Sequence, residues 1–270
     1  MLSLEAYDFN PDVKLVNVRT RAQRRRAYNQ IEAIRQKFER TMRPQLRSIF
    51  EQQKQAIIAL DSKDPNDVFM AINSNRSRFV TLFRWMYERI SDDLLPMNVL
   101  DADRFLKKSD TDLYEMFMQE YIRSIAGDKI TGINDTTLDL IRDVMEYTDD
   151  MVEFRNGVMD VFDKHIKTTR ANTIARTETA YASNTVGYEQ FKVLTQDSGM
   201  EFMKEWVTTL DEDVRDTHNH LDGRSTDYDD PFTWEGKDGT VMMLHPMDDT
   251  YNAPAGEIIN CRCFIIKNTK

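Results

Sequence analysis

The chain has 270 residues, of which 40% are hydrophobic and 30% are charged, and its formal net charge is −10. This composition favours a folded core and argues against disordered, collagen-like and membrane-spanning classes. No apolar run approaches the roughly 18 residues that a transmembrane helix needs, so we expect no membrane segment. The two cysteines, Cys261 and Cys263, are too few and too close together for a disulfide-stapled secreted protein.

Charge is distributed unevenly along the chain. Between Lys14 and Lys54 there are 12 Lys or Arg residues against 3 Asp or Glu, a local net of +9. Between Asp211 and Asp249 there are 12 acidic residues against 3 basic ones, a local net of −9. Such opposite charge indicates two surfaces with different roles.

The first half of the chain has helical periodicity and no glycine before Gly127. Apolar residues at three- and four-residue steps predict a helix over 14–60, which Pro44 should kink or divide. Asp64 and Pro65 form a helix start, with the aspartate as N-cap and the proline at the first helical position. A later helix should stop near Gly127.

A long helix is predicted from about Thr169 to Leu194, and the pattern then changes. Residues 202–208 are β-prone, and Asp211 is predicted to cap a short helix through His218. Residues 235–239 predict a hairpin turn, and 258–266 predict a strand with Cys261 and Cys263 on one face.

These elements predict an α+β fold with a division near Gly127. A helical region, 1–126, is followed by a small β-containing domain, 127–270.

Four short segments of the C-terminal domain occur in a distinctive order. They are an Ala-Arg-Thr-Glu segment, a Trp-to-His segment, a Leu-Asp-Gly turn and a Cys-x-Cys pair, at 174–179, 206–218, 221–223 and 260–263. Together they resemble the phage head morphogenesis domain, the family of the phage Mu F protein, over about residues 127–267. The residues that match the family motif are Arg176, Glu178, Trp206, Asp211, Arg215, His218, Gly223, Cys261 and Cys263.

The resemblance implies a minor capsid protein of a tailed bacteriophage, assembled in the host bacterial cytoplasm. Such a protein lies in the capsid interior or at the portal vertex and acts in head assembly and in DNA packaging or ejection. The implied partners are the portal protein, the major capsid or scaffolding protein, and double-stranded DNA bound without sequence preference. Some family members carry toxin or transferase domains after the motif domain; we expect none here, because few residues follow Cys263.

Arg176 and Glu178 lie two residues apart on a predicted helix, so they cannot face one another. They are either two solvated charges or one of them is buried and needs a partner. The candidate partners are Arg215 for Glu178 and Asp211 for Arg176.

We predict that His218, Cys261 and Cys263 cluster in space, because they belong to one motif domain. The preferred interpretation is a structural, metal-free cluster, since free cysteines commonly occupy the core face of a strand. Side chains two apart on a strand are nearly 7 Å apart, which is too wide for one tetrahedral ion unless the strand bends. The alternative is a zinc site that recruits His245 or His220 as its fourth ligand.

Two charged clusters are candidate binding surfaces. The basic run consists of Arg19, Arg21, Arg24, Arg25 and Arg26. It is a candidate surface for binding phosphates or the portal protein, and the alternative is a solvated helix face. The acidic residues of 211–213 and 227–230 lack the regular spacing of a calcium loop, so we interpret them as a solvated surface.

No complete catalytic motif is present, and we expect no enzyme activity. The sequence lacks a Gly-x-Ser-x-Gly elbow, a phosphate loop and a His-Glu-x-x-His zinc motif. The alternative function is a small metal- or histidine-dependent nuclease or toxin domain. In that case His218, Glu178 and Arg215 would form a general-base site.

Overall fold

A computed structural model describes residue 18 and residues 20–98, 111–195, 201–209, 212–237 and 239–270, without the side chains of 98, 111–126 and 193–195. The chain divides into two compact units. The helical unit comprises Lys37–Met86 and Phe117–Arg176, and the mixed unit comprises Met1–Gln36, Tyr87–Met116 and Thr177–Lys270. The boundary predicted between residues 126 and 127 stays a prediction.

Most of the described chain is helical. The longer helices are α1 (Arg21–Ile58), α2 (Pro65–Asn73), α3 (Arg76–Asn98), α4 (Thr111–Tyr147), α5 (Met151–Val161) and α6 (Ala171–Thr195), with a π-helical segment at Phe162–Arg170 between α5 and α6. The predicted start of α2 is confirmed, because the Asp64 side chain accepts a hydrogen bond from the Asn66 amide at 2.8 Å.

Of two predicted helix boundaries, the stop near Gly127 was wrong. The division of a helix at Pro44 was also wrong, while the alternative of a kink there stays a prediction. Helix α1 continues through Pro44, where fully buried Met42 and Leu46 supply packing that offsets the hydrogen bond the proline removes. Helix α4 continues through Gly127, which costs a helix only about 1 kcal/mol. There the Arg76 guanidinium binds the Gly127 carbonyl at 3.1 Å, tying α4 to α3.

The core of the helical unit is almost entirely apolar. Phe50, Phe79 and Phe83 make edge-to-face contacts between α1 and α3. A buried amide, Gln53, donates hydrogen bonds to the Ile72 carbonyl and to Asn134, both at 3.0 Å. The larger apolar side chains in this core with no exposed area are Met42, Leu46, Phe50, Ile57, Val68, Ile72, Phe79, Phe83, Met86, Ile130, Ile141, Phe154, Val158, Phe162 and Ile166.

The mixed unit contains the strands. They are β1 (Phe202–Val207), β2 (Ser225–Asp227), β3 (Phe232–Gly236), β4 (Gly239–Met243) and β5 (Phe264–Thr269), with short helices α7 (Asp216–Asn219) and α8 (Ala255–Ile258). One antiparallel sheet has the order β2-β1-β5. The other is the predicted hairpin, confirmed by pairing from Phe232 with Met243 to Gly236 with Gly239.

Two local predictions in the mixed unit were also wrong. The last strand begins at Phe264, because Ala255–Ile258 forms a helical turn and Asn260 has a left-handed φ of 60°. Helix α7 begins only at Asp216, because Arg215 before it has an extended backbone. Asp211, the predicted cap, lies outside the described residues.

The sheet of the mixed unit packs on the first turns of α1. Val207, Phe264 and Ile266 form a buried cluster against Tyr28 and Ile31. Helices followed by antiparallel strands make the fold α+β, as predicted. None of the described helices is both long enough and apolar enough to cross a membrane.

Candidate metal centre and basic surface

His218 is placed by a tight turn that leaves β1 and returns to it. The residue lies on α7 and is 1% exposed. After α7 the chain reverses at Gly223, whose φ of 78° favours glycine, and the Gly223 amide donates to the Trp206 carbonyl at 2.9 Å. The Leu-Asp-Gly motif therefore fixes the position of His218 beneath β1.

The two cysteines lie in the loop between α8 and β5 and are buried. The Cys261 amide donates to the Ile258 carbonyl at 3.0 Å, and the Asn260 amide donates to the Thr177 hydroxyl at 3.2 Å. This bend replaces the extended spacing predicted for the segment. Both sulfurs consequently face the same histidine.

The structure brings His218, Cys261 and Cys263 together. Nδ1 of His218 lies 3.6 Å from the sulfur of Cys261 and 3.6 Å from the sulfur of Cys263. One ligand atom from each residue lies within 4.8 Å of the other two, and no other such group of three forms among the described residues.

The other ring nitrogen of His218 faces a carboxylate that the sequence analysis did not consider. Nε2 lies 3.0 Å from Oε2 of Glu257, which is 7% exposed. The Thr217 hydroxyl donates to the same oxygen at 3.0 Å. Glu257 lies on α8, just before the Cys-x-Cys segment. Its short spacing from Cys261 is the sequence feature from which its place beside the cluster could have been predicted.

The two histidines considered as a fourth ligand lie elsewhere. His220 is exposed at the end of α7. His245 is buried against the Tyr188 ring, with its Nδ1 3.1 Å from the Pro246 carbonyl oxygen, and burial lowers its pKa. Neither belongs to the cluster of His218 with the two cysteines.

Aromatic side chains enclose the cluster. Trp206 has no exposed area, and its ring centroid lies 5.4 Å from that of His218 in an edge contact. The Trp234 ring lies 5.8 Å from His218 in the same arrangement. The site is thus buried and lined by aromatic rings, and unpaired charge there is costly.

The two thiols influence each other. The pKa of Cys261 is lowered, first by the hydrogen bond from the Cys263 thiol and then by His218. The pKa of Cys263 is raised by that same hydrogen bond and by burial.

Arg35 is a buried residue that the sequence analysis missed. It is 2% exposed, and its guanidinium donates to the carbonyls of Arg262 at 2.5 Å and Cys263 at 3.1 Å. It also donates to Ser183 at 2.7 Å and to Asn184 at 3.1 Å, both on α6. Arg35 therefore fixes the backbone that carries the cysteines.

The remaining motif charges have different environments. Arg176 is exposed on α6, whereas Glu178 is buried. Arg215 donates to the Ile259 carbonyl, next to the Cys-x-Cys loop. The pairings proposed for Arg176 with Asp211 and for Glu178 with Arg215 stay predictions, and Asp211 lies outside the described residues.

The basic run at the start of α1 separates into two kinds of residue. Arg24 is bound by two carboxylates, Glu205 at 3.2 Å and Asp222 at 2.8 Å, so it holds α1 to the sheet of its own unit. The exposed members of the run are Arg21, Arg25 and Arg26. Arg19 lies outside the described residues.

Comparison with known families identifies the motif domain. Residues 134–266, about half of the chain, match the family described as phage Mu protein F-like. These residues form a phage Mu F-like domain. The resemblance drawn from the four segments is therefore confirmed for this domain, which supports a phage head morphogenesis family.

One curated relative carries the name of an enzyme. It is the NAD(+)–arginine ADP-ribosyltransferase EFV of Enterococcus faecalis, which is 35% identical over 101 residues. The aligned part is 36% of this chain and 18% of the relative, so the chain spans less than a fifth of that protein's length. No solved structure matches the chain.

Proposed function

We propose that the chain is a minor head protein of a tailed bacteriophage, located at the portal vertex, where it acts in head assembly and in the passage of DNA. The observation that carries the proposal is the phage Mu F-like domain over residues 134–266. The basic start of α1 is the surface that would contact the portal or the packaged DNA.

The charges at the start of α1 support this role. The positive end of a helix dipole disfavours nearby cations, yet the first turn of α1 contains no acidic residue. Arg21, Arg25 and Arg26 are exposed there. An anionic partner, either a phosphate backbone or an acidic protein surface, would relieve this repulsion.

DNA binding is tested by replacing Arg21, Arg25 and Arg26 together with glutamine. The parent protein should bind double-stranded DNA without sequence preference. If all three arginines contact phosphates, the substitution should flatten the log-log salt slope of affinity by roughly 2–3. The matched control replaces Arg78, Arg84 and Arg89, all exposed on α3, and should leave the slope unchanged. An unchanged slope in the first variant excludes this surface as the DNA contact and leaves the portal as its partner.

Location is tested by quantitative mass spectrometry of purified virions and of portal-containing fragments released from them. We expect few copies per virion compared with the major capsid protein, and enrichment in the portal fraction. Absence from virions, or a copy number equal to that of the major capsid protein, would contradict the proposal.

A further inference from the structure

We propose that His218, Cys261 and Cys263 bind one zinc ion, and that Glu257 orients the histidine ligand. Nothing in the family match assigns a metal to this domain. The inference is independent of the proposed location in the virion, because it rests on the geometry of four side chains.

The distances match those of a tetrahedral zinc site. Zinc binds thiolate sulfur at about 2.3 Å and histidine nitrogen at about 2.0–2.1 Å, so tetrahedral angles place nitrogen and sulfur about 3.6 Å apart. Nδ1 of His218 lies 3.6 Å from both Cys261 and Cys263 sulfurs. Both distances also suit thiol–imidazole hydrogen bonds, so little movement would be needed for an ion to replace the thiol protons.

The ligand geometry is held by contacts that do not involve the ligand atoms. Arg35 and the Asn184 amide both donate to the Cys263 carbonyl, at 3.1 Å and 3.0 Å. The Asn260 amide is held by Thr177. The backbone therefore positions both sulfurs toward His218 before any ion binds, which lowers the entropic cost of binding.

Glu257 occupies the position of an outer-shell carboxylate. Metal-binding histidines usually direct their second ring nitrogen at a carboxylate, which fixes the tautomer and the ring orientation. Here Nε2 lies 3.0 Å from Oε2 of Glu257 but is not aligned for a hydrogen bond, so a small rotation of the ring would complete the contact and leave Nδ1 for the metal. The Thr217 hydroxyl in turn holds the carboxylate.

The donor set and the burial select the ion and its role. Two thiolates and one imidazole favour zinc over calcium or magnesium, which prefer oxygen ligands. Two buried thiolates require positive charge nearby, and a divalent cation supplies it. Three protein ligands leave one coordination position for water. Because Trp206 and Trp234 enclose the site, we infer a structural ion rather than a catalytic one.

The decisive experiment measures the metal content of the full-length protein, purified without a His tag and refolded in the presence of zinc. After dialysis against metal-free buffer we expect one zinc per chain. Cobalt replacing the zinc should give the visible bands of a tetrahedral ion and the near-ultraviolet charge-transfer bands of two cobalt–thiolate bonds.

Variants locate the ion. Cys261→Ser, Cys263→Ser and His218→Asn should each abolish stoichiometric binding. Glu257→Gln should retain the ion but weaken its affinity by about 10–100-fold, as expected for loss of an outer-shell partner. His220→Asn, two residues from His218 and exposed, is the matched control and should keep one zinc per chain.

The proposal is also testable if the cysteine variants fail to fold, because the parent protein and Glu257→Gln give independent readouts. A folded parent protein that contains no zinc, and whose cobalt spectrum lacks thiolate charge transfer, would overturn it. Unchanged zinc affinity in the Glu257→Gln variant would overturn the proposal that Glu257 orients the histidine ligand. Neither result would affect the proposed location in the virion.

Discussion

The two units of this protein are stabilised in different ways. The core of the helical unit is a set of apolar side chains at helical spacing, and most of its charged groups pair near the surface, as Lys167 does with Glu51 and Asp163. The mixed unit buries more of its charged groups, including Arg35, Lys204 and Glu257, whereas the buried charge of the helical unit is Lys54 among the described residues. The partners of the charges buried in the mixed unit come from segments far apart in the sequence.

This difference predicts where each unit is vulnerable. When a side chain in an apolar core is shortened, the protein loses stability in proportion to the volume of the cavity that remains. The surrounding side chains move partly into that space, which reduces the loss. A buried polar group instead leaves its partners unsatisfied when it is changed, which is costly even for a small substitution. Conservative changes should therefore be tolerated in the helical unit and be damaging in the mixed unit.

Arg35→Lys is the sharpest test of that contrast and should have the largest effect. The charge is kept, but lysine lacks the planar fork that reaches Arg262, Cys263, Ser183 and Asn184. We expect a loss of about 2–4 kcal/mol in the free energy of unfolding, because buried acceptors lose their donor.

The control is Arg47→Lys, an exposed position on the same helix, which should change stability by less than about 0.5 kcal/mol. Denaturant unfolding measures both variants. Equal losses in the free energy of unfolding for the two variants would contradict the claim that the buried arginine matters more than the exposed one.

Lys204 should make the stability of the mixed unit depend on pH. It is 1% exposed, and its Nζ lies 5.2–5.6 Å from the centroids of three aromatic rings. Burial lowers its pKa to about 8. The unfolded chain then binds more protons than the folded one between about pH 8 and pH 10, so this residue makes stability rise with pH through that window.

Lys204→Met should flatten that rise, whereas Lys237→Met, an exposed lysine in the same unit, should not. Melting temperature at several pH values within the window measures the difference. Parallel profiles for parent and Lys204→Met proteins would mean that the lysine is not desolvated.

Glu51 should give the smallest effect, in the helical unit. Hydrogen bonds from Lys167 and Gln55 lower its pKa to about 2. Because the folded pKa is below the unfolded value of about 4.3, the carboxylate stabilises the fold above that pH and the contribution is lost as pH falls toward 2.

Glu51→Gln should therefore cost no more than about 1 kcal/mol near neutral pH, as is typical of exposed ion pairs, and still less in acid. Glu146→Gln, exposed on α4, is the control. Melting temperatures measured from neutral to acid pH distinguish the two variants. If Glu51→Gln lost as much free energy of unfolding as Arg35→Lys, the contrast between the units would be contradicted.

Local pattern was sufficient to predict much of the fold. The Asp64 cap, β1 and the hairpin of β3 with β4 follow from residues adjacent in sequence. The grouping of His218 with the cysteines followed from their place in one motif domain. These features depend on short-range rules or on the family pattern.

The rest depends on contacts between distant segments, which periodicity does not encode. Arg35 lies between Ile31 and Phe38 on the apolar face of α1, a position that signals burial only once its acceptors near Cys263 are known. Similarly, the bend at Asn260 is set by a hydrogen bond to Thr177, 83 residues away.

Hydrogen exchange after metal removal tests most directly whether a metal centre organises one unit and not the other. The protein is refolded once with zinc and once with a chelator, and amide exchange is measured by mass spectrometry. We predict that β1 (Phe202–Val207) and β5 (Phe264–Thr269) lose protection without zinc, while residues 38–57 of α1 keep theirs. Identical protection in both preparations would contradict the metal centre, and an equal loss in both regions would contradict the claim that this centre organises the mixed unit alone.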